Sequence, residues 1–328
     1  MSVSGVGKLG SRHYSFDQVF AIIVGSAALS AVVLLAIIAG YLVTQSLPLW
    51  AVQSPMSFLT NPSWISGIQQ TDGTVIELYG AASALFGTVV TSLIAIMFAA
   101  PIGIFAAAYL VEFAPKRLAI TVTFVVELIA AIPSVVFGLW AIGDLSGRLR
   151  DSVEWWITST LGQIVPWLSE RPGSPPTDNV FRAGFLLAVM ILPMVVAVSR
   201  EFLRSVPISL REGYIGMGAT KWETLRHVII PTARTGLLGA VLLALGRALG
   251  ETIAVTMVIG NAPGIPSSLF LSGTAIAPQI ANDFGEMRSI EHRAALVALG
   301  LTLFVLTFVL SAVIRFVLKR QALAKVAL

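Results

Sequence analysis

The chain has 328 residues, of which 56% are hydrophobic and only 12% are charged, and its mean hydropathy is +0.87. A soluble globular domain carries about a quarter charged residues, so the composition excludes a soluble domain and predicts a polytopic membrane protein. The chain has no cysteine, which excludes disulfides, thiol catalysis and cysteine-ligated metals. Its three histidines, at 13, 227 and 292, are too scattered for a metal site, and we expect no cofactor and no nucleic-acid partner.

Six apolar segments are long enough to cross a membrane, which takes about 20 residues per helix. We therefore expect an all-α membrane protein with six transmembrane helices, at roughly 18–43, 83–111, 118–143, 181–199, 236–260 and 294–318. The first apolar run is about 26 residues long, whereas a signal peptide has an apolar run of about 7–15 residues. We interpret the first segment as an uncleaved anchor.

Positive charge predicts the orientation of the six spans. An even number of spans places both termini on one side, and fourteen of the 21 lysines and arginines fall in the loops of that side. Loops rich in Lys and Arg are cytoplasmic by the positive-inside rule. We therefore expect a multi-pass membrane protein with both termini in the cytoplasm.

Composition along the chain suggests three parts. These are an N-terminal part with the first span and an external loop (1–82), a core of five spans (83–318) and a cytoplasmic tail (319–328). Prolines and small polar residues predict that 44–82 is an irregular loop. A second external segment, 144–180, carries a pair of tryptophans that suits the membrane interface. This segment either only connects two spans or contacts an external partner.

A polar, basic segment at 200–235 predicts two short helices that project from the membrane. Ser209–Glu212 and Thr220–Glu223 each fit a capping box, which begins a helix. Gly218 suits the left-handed conformation that ends the first helix, and Pro231 is expected to end the second. The segment also carries apolar residues that could anchor a partner: Leu210, Tyr214, Met217, Trp222, Leu225 and Val228.

The spacing of Glu212, Gly218 and Pro231 resembles the loop by which permease subunits of ABC importers dock onto their ATPase, written E-A-A-x3-G-x9-I-x-L-P. Gly213 and Tyr214 stand where that pattern usually has alanines, and isoleucine replaces the leucine before the proline. The resemblance implies docking residues at Glu212, Gly218, Thr220, Trp222, Glu223 and Pro231. Periodicity alone also allows an amphipathic loop that lies flat on lipid headgroups.

No segment of the chain has the order Gly-x4-Gly-Lys-Ser/Thr that cradles nucleotide phosphates. The chain is therefore not expected to be an enzyme by itself. The nucleotide site is expected in a separate ATPase subunit.

Three ionisable residues, Glu127, Arg247 and Glu251, fall inside predicted spans. Such residues are unfavourable by about 2.5–3.5 kcal/mol at a helix centre and usually indicate function. Arg247 and Glu251 are four residues apart, so a continuous helix would place them on one face. At 1.5 Å per residue, Arg247 lies about 18 Å and Glu127 about 14 Å from the cytoplasmic ends of their helices. We therefore hypothesise that these two groups meet. For Arg247 and Glu251, the alternative to a functional role is a buried ion pair that only fixes packing.

The sequences around these charges resemble the PstC-type permeases of phosphate-specific ABC importers. Residues 246–261, GRALGETIAVTMVIGN, are similar to the helix-5 signature of that family. Residues 127–140, ELIAAIPSVVFGLW, are similar to its helix-3 segment, and GATKWE at 218–223 also fits its loop. The resemblance extends from about residue 83 to residue 318.

This resemblance implies a type I ABC importer permease fold and a function, the inward movement of inorganic phosphate by alternating access. It places Arg247, Glu251 and Glu127 on the substrate pathway. It also implies partners in the lipid membrane: a homologous second permease (PstA-type), two ATPase subunits (PstB-type) and an external phosphate-binding protein (PstS-type).

Other functions stay open at this point. A permease for another oxyanion or an organic solute, such as phosphonate, molybdate or sulfate, would carry the same docking loop. An intramembrane enzyme would need a nucleophile, metal ligands or an acid/base pair near the interface, and no predicted span contains histidine or cysteine. A sensor that reports phosphate status to a kinase is a further role that the sequence allows.

Overall fold

The structure, a computed structural model, describes residues 10–69, 75–169, 178–287 and 289–326. In chain order its helices are α1 (Gly10–Val52), α2 (Pro55–Thr60), α3 (Ala82–Glu112), α4 (Lys116–Ala130), α5 (Ser134–Trp140), α6 (Ser146–Leu149), α7 (Trp155–Thr160), α8 (Val180–Arg204), α9 (Ile208–Gly216), α10 (Lys221–Thr224), α11 (Ile230–Leu249), α12 (Ile253–Val258), α13 (Ile276–Asp283) and α14 (Ile290–Val326). Strands β1 (Ile65–Gln69) and β2 (Val75–Leu78) form an antiparallel pair. Helices therefore dominate the described chain, as expected.

Within the described residues, five helices are long and apolar enough to cross a membrane, and a bent pair of helices provides a sixth candidate. The five are α1, α3, α8, the run from α10 to α11, and α14, and each coincides with a predicted span. The expected all-α, multi-pass architecture is thus confirmed.

The bent pair replaces the straight helix predicted at 118–143. α4 ends at Ala130, and the helical path that resumes at Ser134 is bent by 91° from it. Pro133 explains the break, because proline lacks the N–H that would continue the helix and disfavours helical backbone at the preceding residue. The N–H groups of Ala131 and Ile132 instead close tight turns onto the carbonyls of Leu128 and Ile129.

Helix α8 is the centre of the packing. In its most apolar stretch 72% of the residues are buried, whereas none is buried in the corresponding stretch of α1. A Cβ on Gly184 of α8 would lie 2.7 Å from the Cβ of Ile94, so glycine at this position lets α8 and α3 approach closely. α1 packs along α14 and otherwise leaves its apolar side chains exposed, which is the pattern of a lipid-facing helix.

The segment that follows the first span is more ordered than predicted. The sequence indicated an irregular loop over 44–82, but α1 continues to Val52, with Pro48 inside it. Ser54 then caps the short helix α2 through a hydrogen bond from the N–H of Ser57. The strand pair β1–β2 follows, and Phe58 is fully buried beneath it in a cluster with the start of α3 and with α14. Burial of Phe58 explains why this segment folds instead of forming a loose connector.

Polar contacts fix this segment to the two last helices. The indole N–H of Trp64 and the amide of Gln279 both donate to the Asp283 carboxylate, at 2.5 and 2.9 Å. The ring of Tyr79 stacks on that of His292 with 5.4 Å between centroids. We call the side of the molecule with these contacts the far side, and the side with α9 and α10 the loop side.

Candidate functional site

Two interrupted helices carry the three ionisable residues that the sequence singled out. Glu127 lies in the last turn of α4. The break that contains Pro133 begins four residues later, at Ala131. Arg247 lies in the last turn of α11, which ends at Leu249. Each charge therefore sits just before a helix interruption, where backbone carbonyls lose their helical partners.

The predicted continuous helix at 236–260 is wrong, and with it the prediction that Arg247 and Glu251 share one helix face. Gly250 caps α11 with φ −95° and ψ 0°. Glu251 follows in non-helical backbone, and α12 begins only at Ile253. The carbonyl of Thr252 accepts both the N–H and the hydroxyl of Thr256, at 2.9 and 2.8 Å, at the start of α12.

The segments that follow the two interruptions pack against each other. A Cβ on Gly138 of α5 would lie 2.5 Å from the Sδ of Met257 and 3.3 Å from the Cα of Ala254 in α12. This close approach needs glycine at position 138. It brings α5, which follows the break after α4, and α12, which follows the break after α11, into one region of the fold.

The three ionisable side chains do not pair with one another. Glu127 and Arg247 are exposed on this chain and Glu251 is partly buried. Among the ion pairs of the described residues, none involves any of the three, so the hypothesised contact between Glu127 and Arg247 is not formed in this structure. Gly250 and Thr252 line an open depression with Ala277, Ile280, Ala281, Phe284 and Leu303.

The loop between α8 and α11 contains the predicted helix–turn–helix. α9 ends at Gly216, and Gly218 has φ +93°, the left-handed conformation expected of it. Its N–H donates to the carbonyl of Ile215 at 2.9 Å. The capping box of Thr220 and Glu223 is also confirmed: each backbone N–H donates to the other residue's side-chain oxygen, at 2.7 and 3.2 Å.

The beginning of the first loop helix was predicted incorrectly. α9 begins at Ile208 after Pro207, and no side chain caps it, so Ser209 and Glu212 form no capping box. Proline fixes φ near the value that a helix start requires, and here the helix begins two residues earlier than a cap at Ser209 would set it. Glu212 is exposed.

Pro231 does not end the second loop helix. Helical residues run without a gap from Lys221 to Leu249, through a π turn at Leu225–Ile229. In that turn the N–H of Ile230 donates to the carbonyl of Leu225, five residues back. This wider turn and the position of Pro231 at the start of α11 accommodate the missing proline N–H.

The apolar residues of the loop divide into two groups. Leu225 is 2% exposed and packs with Ala107, Leu203 and Ile229 inside the chain. Five others have large exposed side chains, on α9, just after it and on α10, and together we call them the loop patch: Ile208, Leu210, Ile215, Met217 and Trp222. Exposed apolar side chains on polar helices are typical of a protein-binding surface.

Sequence reasoning missed a buried cluster on the far side. Glu154, at the end of a π turn before α7, binds the guanidinium of Arg182 through two hydrogen bonds of 2.6 and 2.8 Å. The amide of Asn179 donates to the same carboxylate at 3.3 Å, and its own oxygen caps α8. Burial raises the pKa of the neighbouring Asp178, while Arg182 opposes that shift. The pattern Asn179-x-x-Arg182 before an apolar run was the available signal.

Comparison with known proteins agrees with the fold. Residues 99–322 match the family model described as the binding-protein-dependent transport system inner membrane component. The chain is 40% identical to the phosphate transport system permease protein PstC of Mesorhizobium japonicum over 89% of this chain and 87% of that protein. It is 41% identical to the protein of the same name in Haemophilus influenzae, over 71% and 74% respectively. Identity to PstC 2 of Mycobacterium tuberculosis is 32%, over 91% and 90%.

A solved structure of the inward-facing MetNI methionine ABC transporter is also similar, at 20% identity and a TM-score of 0.49, over 74% of this chain and 94% of that one.

The apolar helices and the family match define a multi-pass membrane permease with a type I ABC importer fold, a class whose members are not enzymes by themselves. The chain belongs to the PstC-type permease family of that class.

Proposed function

We propose that this chain is the permease subunit of an ABC importer that moves inorganic phosphate into the cell by alternating access. The observation that carries the proposal is the 40% identity to a phosphate transport permease over 89% of the chain. Substrate passage would be coupled through the 212–231 loop to ATP hydrolysis by a separate ATPase, since this chain lacks a phosphate-binding loop of its own.

Arg247, Glu251 and Glu127 are proposed to line the substrate pathway. The guanidinium of Arg247 presents a planar fork that matches an oxyanion, and it is exposed at the end of α11. An exposed charge at membrane depth is unfavourable, so a water-filled pathway or a second subunit has to cover it. Interrupted helices are found around the substrate sites of other transporters, which supports a pathway beside Gly250.

The balance of charge favours a weak site. One arginine and two ionised glutamates sum to −1, which repels a phosphate anion. Burial in the assembled transporter would favour protonation of a glutamate, and the second permease can contribute cations. Weak binding suits passage, because a tightly held anion would leave slowly; high affinity would then belong to an external binding protein.

The proposed partners follow the family. They are a homologous second permease of PstA type, two ATPase subunits of PstB type and an external phosphate-binding protein of PstS type. We place both termini and the loop side in the cytoplasm of a bacterial cell, because the loop side holds most of the lysines and arginines. The loop patch, with Trp222 and Met217 at 51% and 76% exposure, would contact the ATPase.

Phosphate uptake tests the proposal directly. The chain and its genomic neighbours are expressed in cells that lack their own phosphate permease, and radiolabelled phosphate uptake is measured with sulfate, molybdate and phosphonate as competitors. We expect uptake that only phosphate or arsenate blocks and that deletion of residues 212–231 abolishes. Absence of phosphate uptake by correctly inserted protein would assign the permease to another oxyanion or to an organic solute.

A double-mutant cycle tests whether Glu127 and Arg247 act together during transport. If they meet in a conformation other than this one, Glu127→Gln and Arg247→Gln should each abolish uptake, and the double variant should be no worse than either. Losses that multiply would mean that the two residues act independently.

A further inference from the structure

Helix α9 is held to the rest of the chain mainly by one arginine. α9 has nine residues and none of them is buried, and an isolated helix of that length is unstable in water. It follows α8 after a short turn at 205–207. The orientation of α9 therefore depends on contacts at its base.

Arg211 provides those contacts. Its Nη1 donates to the carboxylate of Glu112, its Nη2 donates to the carbonyl of Leu203 at 2.5 Å, and its Nε donates to the carbonyl of Val206 at 3.3 Å. The side chains of Arg211 and Glu112 are both only 15% exposed. We call these four groups the Arg211 clamp.

The clamp joins three elements at the loop side. Glu112 is the last residue of α3, Leu203 lies in the last turn of α8, and Arg211 lies in the middle of α9. Carbonyls at a helix end lack helical partners, so the guanidinium also satisfies the end of α8. The rigid, planar guanidinium has enough donors for all three acceptors, whereas a lysine ammonium is a single point charge on a flexible stem.

The clamp and the loop patch involve different residues of α9. Ile208, Ile215 and Met217 are 69%, 46% and 76% exposed, whereas the Arg211 side chain is only 15% exposed. A partner bound to the patch would therefore push on a helix that Arg211 ties to α3 and α8, the two helices that form the central packing.

We propose that Arg211 is the positioning residue that makes α9 move as one body with α3 and α8, so that ATPase movement is converted into movement of the permease core. This inference rests on the proposed function. Without the clamp, the turn at 205–207 acts as a hinge, and ATP is hydrolysed with little transport.

The test measures phosphate uptake and ATP hydrolysis by the full transporter in proteoliposomes. We expect Arg211→Gln to assemble with the ATPase and hydrolyse ATP, with at least a threefold lower ratio of phosphate transported to ATP hydrolysed. Arg211→Lys should fall between this variant and the wild type, and Glu112→Gln should lose less, because two carbonyl contacts remain. Arg204→Gln is the matched control: Arg204 is exposed at the same end of α8 and should keep the wild-type ratio.

A spectroscopic readout separates positioning from folding. Because the chain has no cysteine, cysteines introduced at Gly213 of α9 and Thr121 of α4 would be the sole labelling sites on the permease. Both positions are exposed. In the wild type the distance between the labels should have a narrow distribution. Glu112→Gln and Arg211→Gln should each broaden that distribution.

Three outcomes decide the inference. A wild-type coupling ratio in Arg211→Gln, an unchanged distance distribution, or loss of ATPase binding with a normal distribution would each overturn it. If the wild-type transporter itself moves no phosphate, the proposed function fails instead, and the label distances still test the clamp.

Discussion

The buried pair of Glu154 and Arg182 allows a quantitative prediction about stability. Their side chains are 8% and 7% exposed, and Glu154 accepts two hydrogen bonds from Arg182 and one from Asn179. Glu154→Ala would leave the guanidinium charged and buried, and breaking such a pair is unfavourable by about 3–5 kcal/mol. The nearby carboxyl of Asp178 interacts favourably with Arg182, so we expect a loss near the lower limit, about 3 kcal/mol.

Thermal unfolding of the purified chain in detergent measures this loss. An unfolding entropy of about 2.1 cal/mol/K per residue gives, for 328 residues, a shift of roughly 1.5 °C per kcal/mol. The unfolding midpoint should therefore fall by about 4 °C. Tryptophan fluorescence is a suitable signal, because Trp155 and Trp156 follow Glu154 directly. Asp151→Ala is the control, since Asp151 is exposed on the same helical path and should leave the midpoint unchanged.

A second variant distinguishes loss of the pair from loss of volume. Replacing both partners with apolar residues of similar size removes the buried charge altogether and is often neutral. Glu154→Met combined with Arg182→Met should therefore recover most of the midpoint lost in Glu154→Ala. A midpoint for Glu154→Ala within about 1 °C of the wild type would refute the reasoning, because that shift corresponds to less than 1 kcal/mol.

Three substitutions test the transport machinery. Gly138→Val should reduce phosphate uptake, because its side chain would overlap Met257 and overpacking costs about 1–3 kcal/mol. Gly143→Val is the control and should leave uptake unchanged, because no atom lies within 4 Å of an added Cβ there. Equal effects of the two variants would contradict the close approach. Gly218→Val forces a β-branched residue to φ +93°, a strain of about 1–3 kcal/mol, so less ATPase should copurify with it; unchanged copurification would argue against docking through this turn. Arg247→Lys keeps the charge but loses the planar fork, so uptake should fall at least threefold, and wild-type uptake would exclude an oxyanion contact.

The apolar pattern was sufficient to predict the membrane helices. Long apolar runs have few alternatives in a lipid environment, because every backbone polar group must be satisfied within the helix. The local signals of the loop were also informative: Gly218 and the box of Thr220 and Glu223 depend on neighbouring residues only, and both are confirmed.

Errors arose where the backbone depends on distant packing. The break after Leu249 leads into α12, which packs on α5 at Gly138, and a hydropathy profile does not report that contact. The sequence alone therefore suggested one helix face for Arg247 and Glu251. The Arg211 clamp and the Glu154–Arg182 pair join residues 99 and 28 positions apart, so neither could be inferred from local spacing.

The unbroken helical run from Lys221 to Leu249 has a geometric consequence. Its loop end lies among the residues proposed to meet the ATPase, and Arg247 lies in its last turn. At 1.5 Å per residue, about 39 Å of helix separate Lys221 from Arg247. A rigid rod of that length acts as a lever arm, and a tilt of about 10° around its loop end would displace the guanidinium by about 7 Å, more than one turn of helix. A small rotation at the loop end is thus enough to withdraw the substrate contact that we propose for Arg247.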